Sequence, residues 1–208
     1  MIQKISNNPN EIAKALYTVI YWEKFFSDDE IDKIIKLCQL VELKKSSISL
    51  NPNLIIDNSV RVSDVNFHSR NEQNYWIFDR FNSGIEDINS KFFHFDLYGY
   101  NSFQYSEYNY LDSGKYNFHM DTFTNQESLN SKKFTRKLSL VILLSEPNVD
   151  FEGGEFQINE GSEEEAKTIK MTKGTLIAFP SFMIHRVKTV TKGIRKSITI
   201  WVEGPKFK

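Results

Sequence analysis

The sequence predicts a mainly β protein with helices on its N-terminal side, built as a sandwich or jelly roll. Two helix-periodic stretches fall in the first hundred residues, whereas from Asn101 onward short β-forming segments follow one another between turn signals. The aromatic content points the same way, with 17 Phe and 9 Tyr, residues that favour pleated, half-buried surfaces. Helices followed by a run of strands are expected to pack as a helical layer on a sheet.

In chain order, "SDDEIDKIIKLCQL" opens with Ser27 and places Glu30 three residues on, a capping-box pattern. Ile31, Ile34, Ile35 and Cys38 follow at helical spacing, so a helix is expected over about 28–40. A second helix is expected where Ile77, Phe81, Ile85, Ile88 and Phe92 recur every three or four residues, despite Gly84. The segment between them, 41–75, is polar and turn-rich, with one short strand expected around Val60 to Val65. After Asn101, "SFQYSEYNY" is rich in β-formers, and "KLSLVILLS" is nearly continuous apolar, the pattern of a buried strand. "GGEFQI", "AKTIKM", "GTLIAFP", "HRVKTV" and "RKSITIWV" complete the series. Two polar insertions interrupt it: "TNQESLNSKK", and the acidic tip "NEGSEEEA".

A chain of 208 residues is long enough to bury a core without staples and is expected to form one domain: residues 1–100 a helical front with lid segments, 101–203 the β core. The single cysteine, Cys38, excludes an internal disulfide framework and fits a reducing compartment. No secretory leader pattern and no apolar run of membrane-spanning length is visible, so a cytoplasmic protein without a membrane partner is expected. The formal net charge of −1 gives no general field for nucleic acid.

The chemistry concentrates in "YNFHMDTF". In an extended strand, His119 and Asp121 share a face and can chelate one metal ion. His185, after the apolar strand "GTLIAF", is the best third ligand. Two imidazoles and one carboxylate leave coordination positions open, the facial triad of non-haem Fe(II) oxygenases; zinc would more often take Cys or a third His, and neither is near in sequence. Ten residues on, Arg195 offers a planar fork for a carboxylate, with Ser197 on the same strand face. Tyr108 and Tyr110 alternate along one strand and present two phenols. His68 and His94 lack any such context and read as ordinary core or surface residues, and Trp201 reads as core. Tyr116 is open between core and site. The basic run Arg186, Lys188, Lys192, Lys196 reads as a solvated face out of which His185 and Arg195 alternate.

Taken together, "YLDSGKYNFHMD", "FEGGEF", "FPS" and "HRVKTVTKGIR" resemble the Fe(II)/2-oxoglutarate-dependent dioxygenases, on the side of the prolyl 4-hydroxylase-like and PKHD-type hydroxylases. The resemblance covers roughly residues 100–203. It implies a double-stranded β-helix (jelly roll) core, Fe(II) held by His119, Asp121 and His185, 2-oxoglutarate and O2 as co-substrates, and ascorbate to keep the iron reduced. It implies Arg195 as the anchor of the distal 2-oxoglutarate carboxylate and Tyr110 as its hydrogen-bonding tyrosine, a role Tyr108 fits as well. The presence of Asp121 favours hydroxylation over halogenation. The expected reaction hydroxylates a substrate, a prolyl residue in a peptide or protein being the leading candidate, with release of succinate and CO2. The alternatives are a free amino acid or small metabolite as substrate, and a jelly-roll binding module without turnover. The segments 41–75 and 124–135 are expected to act as lids.

Overall fold

The computed structural model describes residues 19–50, 53–122, 134–159, 161 and 163–207. The elements run β1 (Ile20–Trp22), α1 (Asp28–Cys38), β2 (Lys44–Lys45), β3 (Ile48–Leu50), β4 (Asn53–Ile55), β5 (Arg61–Val62), β6 (Asp64–Ser69) and α2 (Tyr75–Ile88). They continue with β7 (Ser102–Asn109), β8 (Lys115–His119), β9 (Phe134–Leu143), β10 (Phe151–Gly153), β11 (Phe156–Asn159), β12 (Lys167–Ile169), β13 (Leu176–Pro180), β14 (Ile184–Val187) and β15 (Val190–Pro205).

The helices form for local reasons and then pack by their apolar stripes. Ser27 Oγ accepts from Glu30 N at 3.3 Å, while Ser27 N donates to Glu30 Oε2 at 2.8 Å, so the box fixes the start of α1. Arg80 on α2 ties the two helices together, donating to Glu30 Oε1 at 2.8 Å and to the Phe25 carbonyl at 2.9 Å. Gly84 is where α2 crosses Phe25; a Cβ there would sit 2.7 Å from the ring.

Two antiparallel sheets face each other. The larger has the order β1-β13-β9-β15-β7-β6-β2, with β10 also on β15; the smaller has the order β12-β11-β14-β8-β5; β3 and β4 form a separate hairpin. Strand alternation divides the long central strands between two cores. Leu138, Leu140 and Ile142 on β9, with Ile198 and Ile200 on β15, face Ile31, Ile34, Ile77 and Phe81 of the helices. Val141 and Leu143 point the other way, toward Phe156, Ile158, Phe179 and Val187 between the sheets. The inward face of β15 therefore carries Arg195, Ser197, Thr199 and Trp201.

The front of the chain is more β-structured than its sequence predicts. Segment 41–75 is not an irregular lid: β6 pairs with β7 along its whole length, from Asp64↔Glu107 to Ser69↔Ser102, and β2 caps that edge. β5 joins the smaller sheet through Arg61↔Tyr116, and β1 joins the larger through β13. The expected second lid, 124–135, lies outside the described residues up to 133, and of the acidic tip residues 160 and 162 do. No helix among the described residues is long and apolar enough to cross a membrane.

Candidate metal centre and anion pocket

His119 ends β8 and His185 lies on β14, and the two are direct cross-strand partners in the smaller sheet. Asp121 stands differently from its expected place. The strand stops at His119, so Asp121 is not aligned by the pleat. Instead, its backbone N–H donates to the Ser181 carbonyl at 2.9 Å. Its Oδ2 accepts from Ser139 Oγ at 2.7 Å, and that hydroxyl is also bonded to Ser181 Oγ at 2.9 Å. The carboxylate thus comes to rest 3.6 Å from His119 Nε2 and 3.5 Å from His185 Nε2. One ligand atom of each of the three residues lies within 4.8 Å of the others.

The outer nitrogens of both rings are already engaged. His119 Nδ1 donates to the Asn117 carbonyl at 2.8 Å, and His185 Nδ1 to the Met183 carbonyl at 2.9 Å. These bonds select the tautomer whose Nε2 lone pair faces the cluster, the usual support for a metal-binding histidine. Burial, reinforced by the neighbouring His119, pushes the His185 pKa down to about 4, so the ring is neutral near neutrality. Burial alone would raise the Asp121 carboxyl; the two imidazoles and Arg136 outweigh it and hold the group below the usual carboxylate range. The Nε2 atoms of both imidazoles and an ionised carboxylate therefore converge on one point. Such a set of acceptors fits a divalent cation with room for further ligands.

From this centre a narrow cavity runs along the inner face of the larger sheet. Arg195, only 1% exposed, lines it as well. Its Nη1 donates to Ser197 Oγ at 3.1 Å, and its guanidinium carbon lies 5.6 Å from the centre of the Tyr108 ring, its cross-strand partner. Gly154 allows the approach of the next strand, since a Cβ there would meet Arg195 Cδ at 3.0 Å. Lys196 points away, with Nζ 4.0 Å from Glu107.

Two expectations need correction. Tyr110 does not share a face with Tyr108. β7 ends at Asn109, whose side chain accepts from Leu111 N at 3.0 Å and starts a 3-10 turn, leaving Tyr110 45% exposed and outside the cavity. The phenol that borders Arg195 is Tyr108. Trp201 is not a core residue either: it lines the cavity beneath Arg136, whose guanidinium lies 4.1 Å above its ring, and its buried Nε1 has no partner among the described residues. His68 does stay in the core, stacked on Phe103, and Tyr116 sides with the site, its ring 3.4 Å from that of His119. Sequence reasoning missed Ser139, Gln104, Thr199 and Arg136 as site residues. Arg136 donates to the Asp121 carbonyl at 3.3 Å.

The geometry defines a jelly-roll protein with a His-Asp-His cluster that could hold a metal ion and a buried arginine lining the same cavity. The sequence of residues 103–203 matches the 2OG-Fe(II) oxygenase superfamily, a family that uses Fe(II) and 2-oxoglutarate. Curated relatives that are similar over this part of the chain are PKHD-type hydroxylases. A PKHD-type hydroxylase from Aliarcobacter butzleri (strain RM4018) is 32% identical over 97 residues, 46% of this chain and 41% of that protein. The chain thus matches well under half the length of this relative. Among solved structures, a Pseudomonas putida prolyl-4-hydroxylase superimposes with a TM-score of 0.70 at 16% identity, covering 95% of this chain and 97% of that one. A prolyl hydroxylase from Trichoplax adhaerens, solved with a peptide fragment of a hypoxia inducible factor oxygen degradation domain, gives 0.68 at 19% identity, covering 93% and 86%. At these identities the two structures speak for the fold.

Proposed function

We propose that the chain is an Fe(II)- and 2-oxoglutarate-dependent hydroxylase. The observation that carries this reading is one cavity lined both by the His119–Asp121–His185 cluster and by the buried Arg195. When bound, Fe(II) and 2-oxoglutarate would activate O2, which is the oxidant: 2-oxoglutarate gives up two electrons as it becomes succinate and CO2, and the substrate C–H bond gives up the other two as one oxygen atom is inserted into it. The chain's own residues bind and orient. His119 and His185 offer Nε2, fixed by their carbonyl partners, and Asp121 offers its carboxylate, held by Ser139. Arg195 takes the distal carboxylate of the co-substrate, and Tyr108, not Tyr110, stands beside it as phenolic partner. Phe156, Val141 and Val187 make the cavity wall apolar, which keeps bulk water from the reacting atoms.

The substrate favoured is a prolyl residue in a peptide or protein. The fold-level likeness to prolyl hydroxylases supports this, one of them solved with a peptide. A free amino acid or other small metabolite is the second reading, supported by the narrowness of the cavity. A binding module without turnover fits less well, because all three ligands and the arginine are in place. The test is consumption of O2 and release of succinate with Fe(II), 2-oxoglutarate and ascorbate, using proline-containing peptides and free amino acids and looking for the mass gain of one oxygen atom. Turnover is expected to require both Fe(II) and 2-oxoglutarate and to vanish in Asp121→Ala, which removes one of only three protein ligands. Near wild-type turnover in that variant would show the triad to be misassigned.

A further inference from the structure

A second cation borders the same cavity and is left without an anion. Arg61, on β5, is 6% exposed. Its Nε donates to Ser63 Oγ at 3.0 Å, and that hydroxyl donates onward to Ser46 Oγ at 3.0 Å. Its guanidinium carbon lies 4.6 Å from the centre of the Tyr116 ring, the ring that also stacks on the metal ligand His119. The side chain is therefore held at Nε and against one face, while its terminal nitrogens have no hydrogen-bond partner among the described residues. No carboxylate among them lies within ion-pair distance of Arg61, whereas Lys45, Arg70, Arg80 and Lys192 at the surface each have one. Those nitrogens are not sealed off without a partner and stay open to the cavity and cleft that Arg61 lines, where an anion can reach them. Arg61 also lines a cleft of about 400 Å3 between β2 and β6, together with Gln104, which like Arg61 faces the metal cavity as well. A ligand in the cleft reaches the guanidinium from there, and the apolar Val65 and exposed Phe67 beside it give that ligand's body a surface.

We propose that Arg61 is a second carboxylate-binding site, distinct from the one at Arg195, and that the substrate of this hydroxylase carries a carboxylate that docks on it. The inference rests on the hydroxylase reading for the word substrate, but the anion site stands on its own geometry. A guanidinium clamped at Nε and against a ring presents its outer nitrogens as a fixed fork, which matches a carboxylate in two-point contact better than a lone carbonyl oxygen. The carboxylate belongs either to a free amino acid or to an acidic side chain next to the target residue in a peptide.

The test uses the full chain loaded with Zn(II) and excess 2-oxoglutarate, so that Arg195 is engaged and no turnover occurs. The 1H–15N signal of Arg61 Nε, assigned by its loss in Arg61→Gln, is followed during titration with acetate and, separately, acetamide. A saturable shift with acetate and none with acetamide is expected. Free L-proline and an end-blocked peptide containing Pro-Glu are then titrated; whichever binds at least tenfold more tightly than acetate identifies the source of the carboxylate. That gain should disappear in Arg61→Gln and survive in part in Arg61→Lys, which keeps the charge without the fork. No saturable response to acetate in the wild-type protein, or equal responses to acetate and acetamide, would overturn the proposal. Binding of 2-oxoglutarate is measured apart by calorimetry. If it fails while Arg61 still responds to acetate, the hydroxylase reading falls and the anion site stands; if it holds while Arg61 is silent, the reverse is true.

Discussion

Arg195 is the largest of the almost completely buried side chains among the described residues, and burial draws its pKa downward, with Tyr108 opposing the change. A guanidinium stays charged even so, and the only side-chain hydrogen bond it makes within the described residues is to Ser197. Arg195→Ala is expected to leave metal affinity intact and to raise the 2-oxoglutarate KM by the equivalent of about 2–4 kcal/mol, the loss of a buried charge-assisted contact. Arg195→Lys should fall between, since a point charge cannot replace the fork. Tyr108→Phe should raise the same KM by a smaller factor, worth about 0.5–1.5 kcal/mol, and Tyr110→Phe should not move it, because that ring lies outside the cavity; steady-state kinetics in 2-oxoglutarate separates all four. The three residues of the His-Asp-His cluster and Arg195 were legible in the sequence because each sits at a distinctive spacing in a segment whose β character is plain. The tyrosine was not. Alternation says that 108 and 110 share a face, and only the side chain of Asn109, together with Ser113 at φ 57° and the tight passage of Gly114, ends the strand between them. Ser139 and Arg136 were illegible as site residues for a different reason. Nothing local marks them, and they meet Asp121 only when the two sheets close.

The elements show the same division between local and tertiary signals. α1 could be read from its capping box, yet it ends at Cys38 rather than Leu40, where Asn66 on β6 takes over: its amide donates to the carbonyls of Cys38 and Val41, each at 2.8 Å. Those two donations fix the Asn66 carbonyl oxygen toward His68, so the 2.8 Å contact between them has His68 Nε2–H as donor. Burial lowers the His68 pKa below that of a free imidazole. The unfolded chain therefore binds a proton here before the folded one does. This contribution to stability is complete above the ordinary histidine pKa of about 6.5 and is lost as pH falls below it toward the folded value. Chemical denaturation of the apo protein at a series of pH values should show that decline, and His68→Gln should flatten the part due to this site. The short strands β2 to β5 had no readable period, because two or three residues cannot establish one. Gly84 looked like a weakness in α2 and is instead a contact. Gly84→Ala gains up to about 1 kcal/mol in helix propensity but drives a methyl into Phe25, itself held edge-on by Phe26 and Trp22; overpacking of about 1–3 kcal/mol should win, seen as a lower denaturation midpoint at an unchanged slope.

At the scale of the molecule the question is whether the β core is a unit without the front of the chain. The family match begins at residue 103, and the sequence alone invites the same division at residue 100. The packing argues against it. Phe103, Tyr105, Leu138, Leu140, Ile142, Ile198 and Ile200 belong to the second half, yet they bury against Ile31, Ile34, Ile77, Phe81 and their neighbours in the first. Uncovering seven such side chains costs roughly 10–20 kcal/mol at about 1.5–3 kcal/mol each, as much as or more than the whole stability of about 5–15 kcal/mol that a domain possesses. The cut would also strip β7 of its partner β6 over the six paired residues from 64 to 69, leaving a long hydrophobic edge open to aggregation. A fragment spanning 101–208 is therefore expected to lack a cooperative thermal transition, to bind a hydrophobic dye such as ANS, and to hold Fe(II) weakly despite containing all three ligands, because Ser139 and Ser181 no longer sit in a fixed sheet to orient Asp121. The full chain should melt in one transition, with coincident curves for the helical signal in circular dichroism and for tryptophan fluorescence. A fragment that melts cooperatively and binds metal like the full chain would show instead that the helices and β6 are an accessory layer on a self-sufficient core.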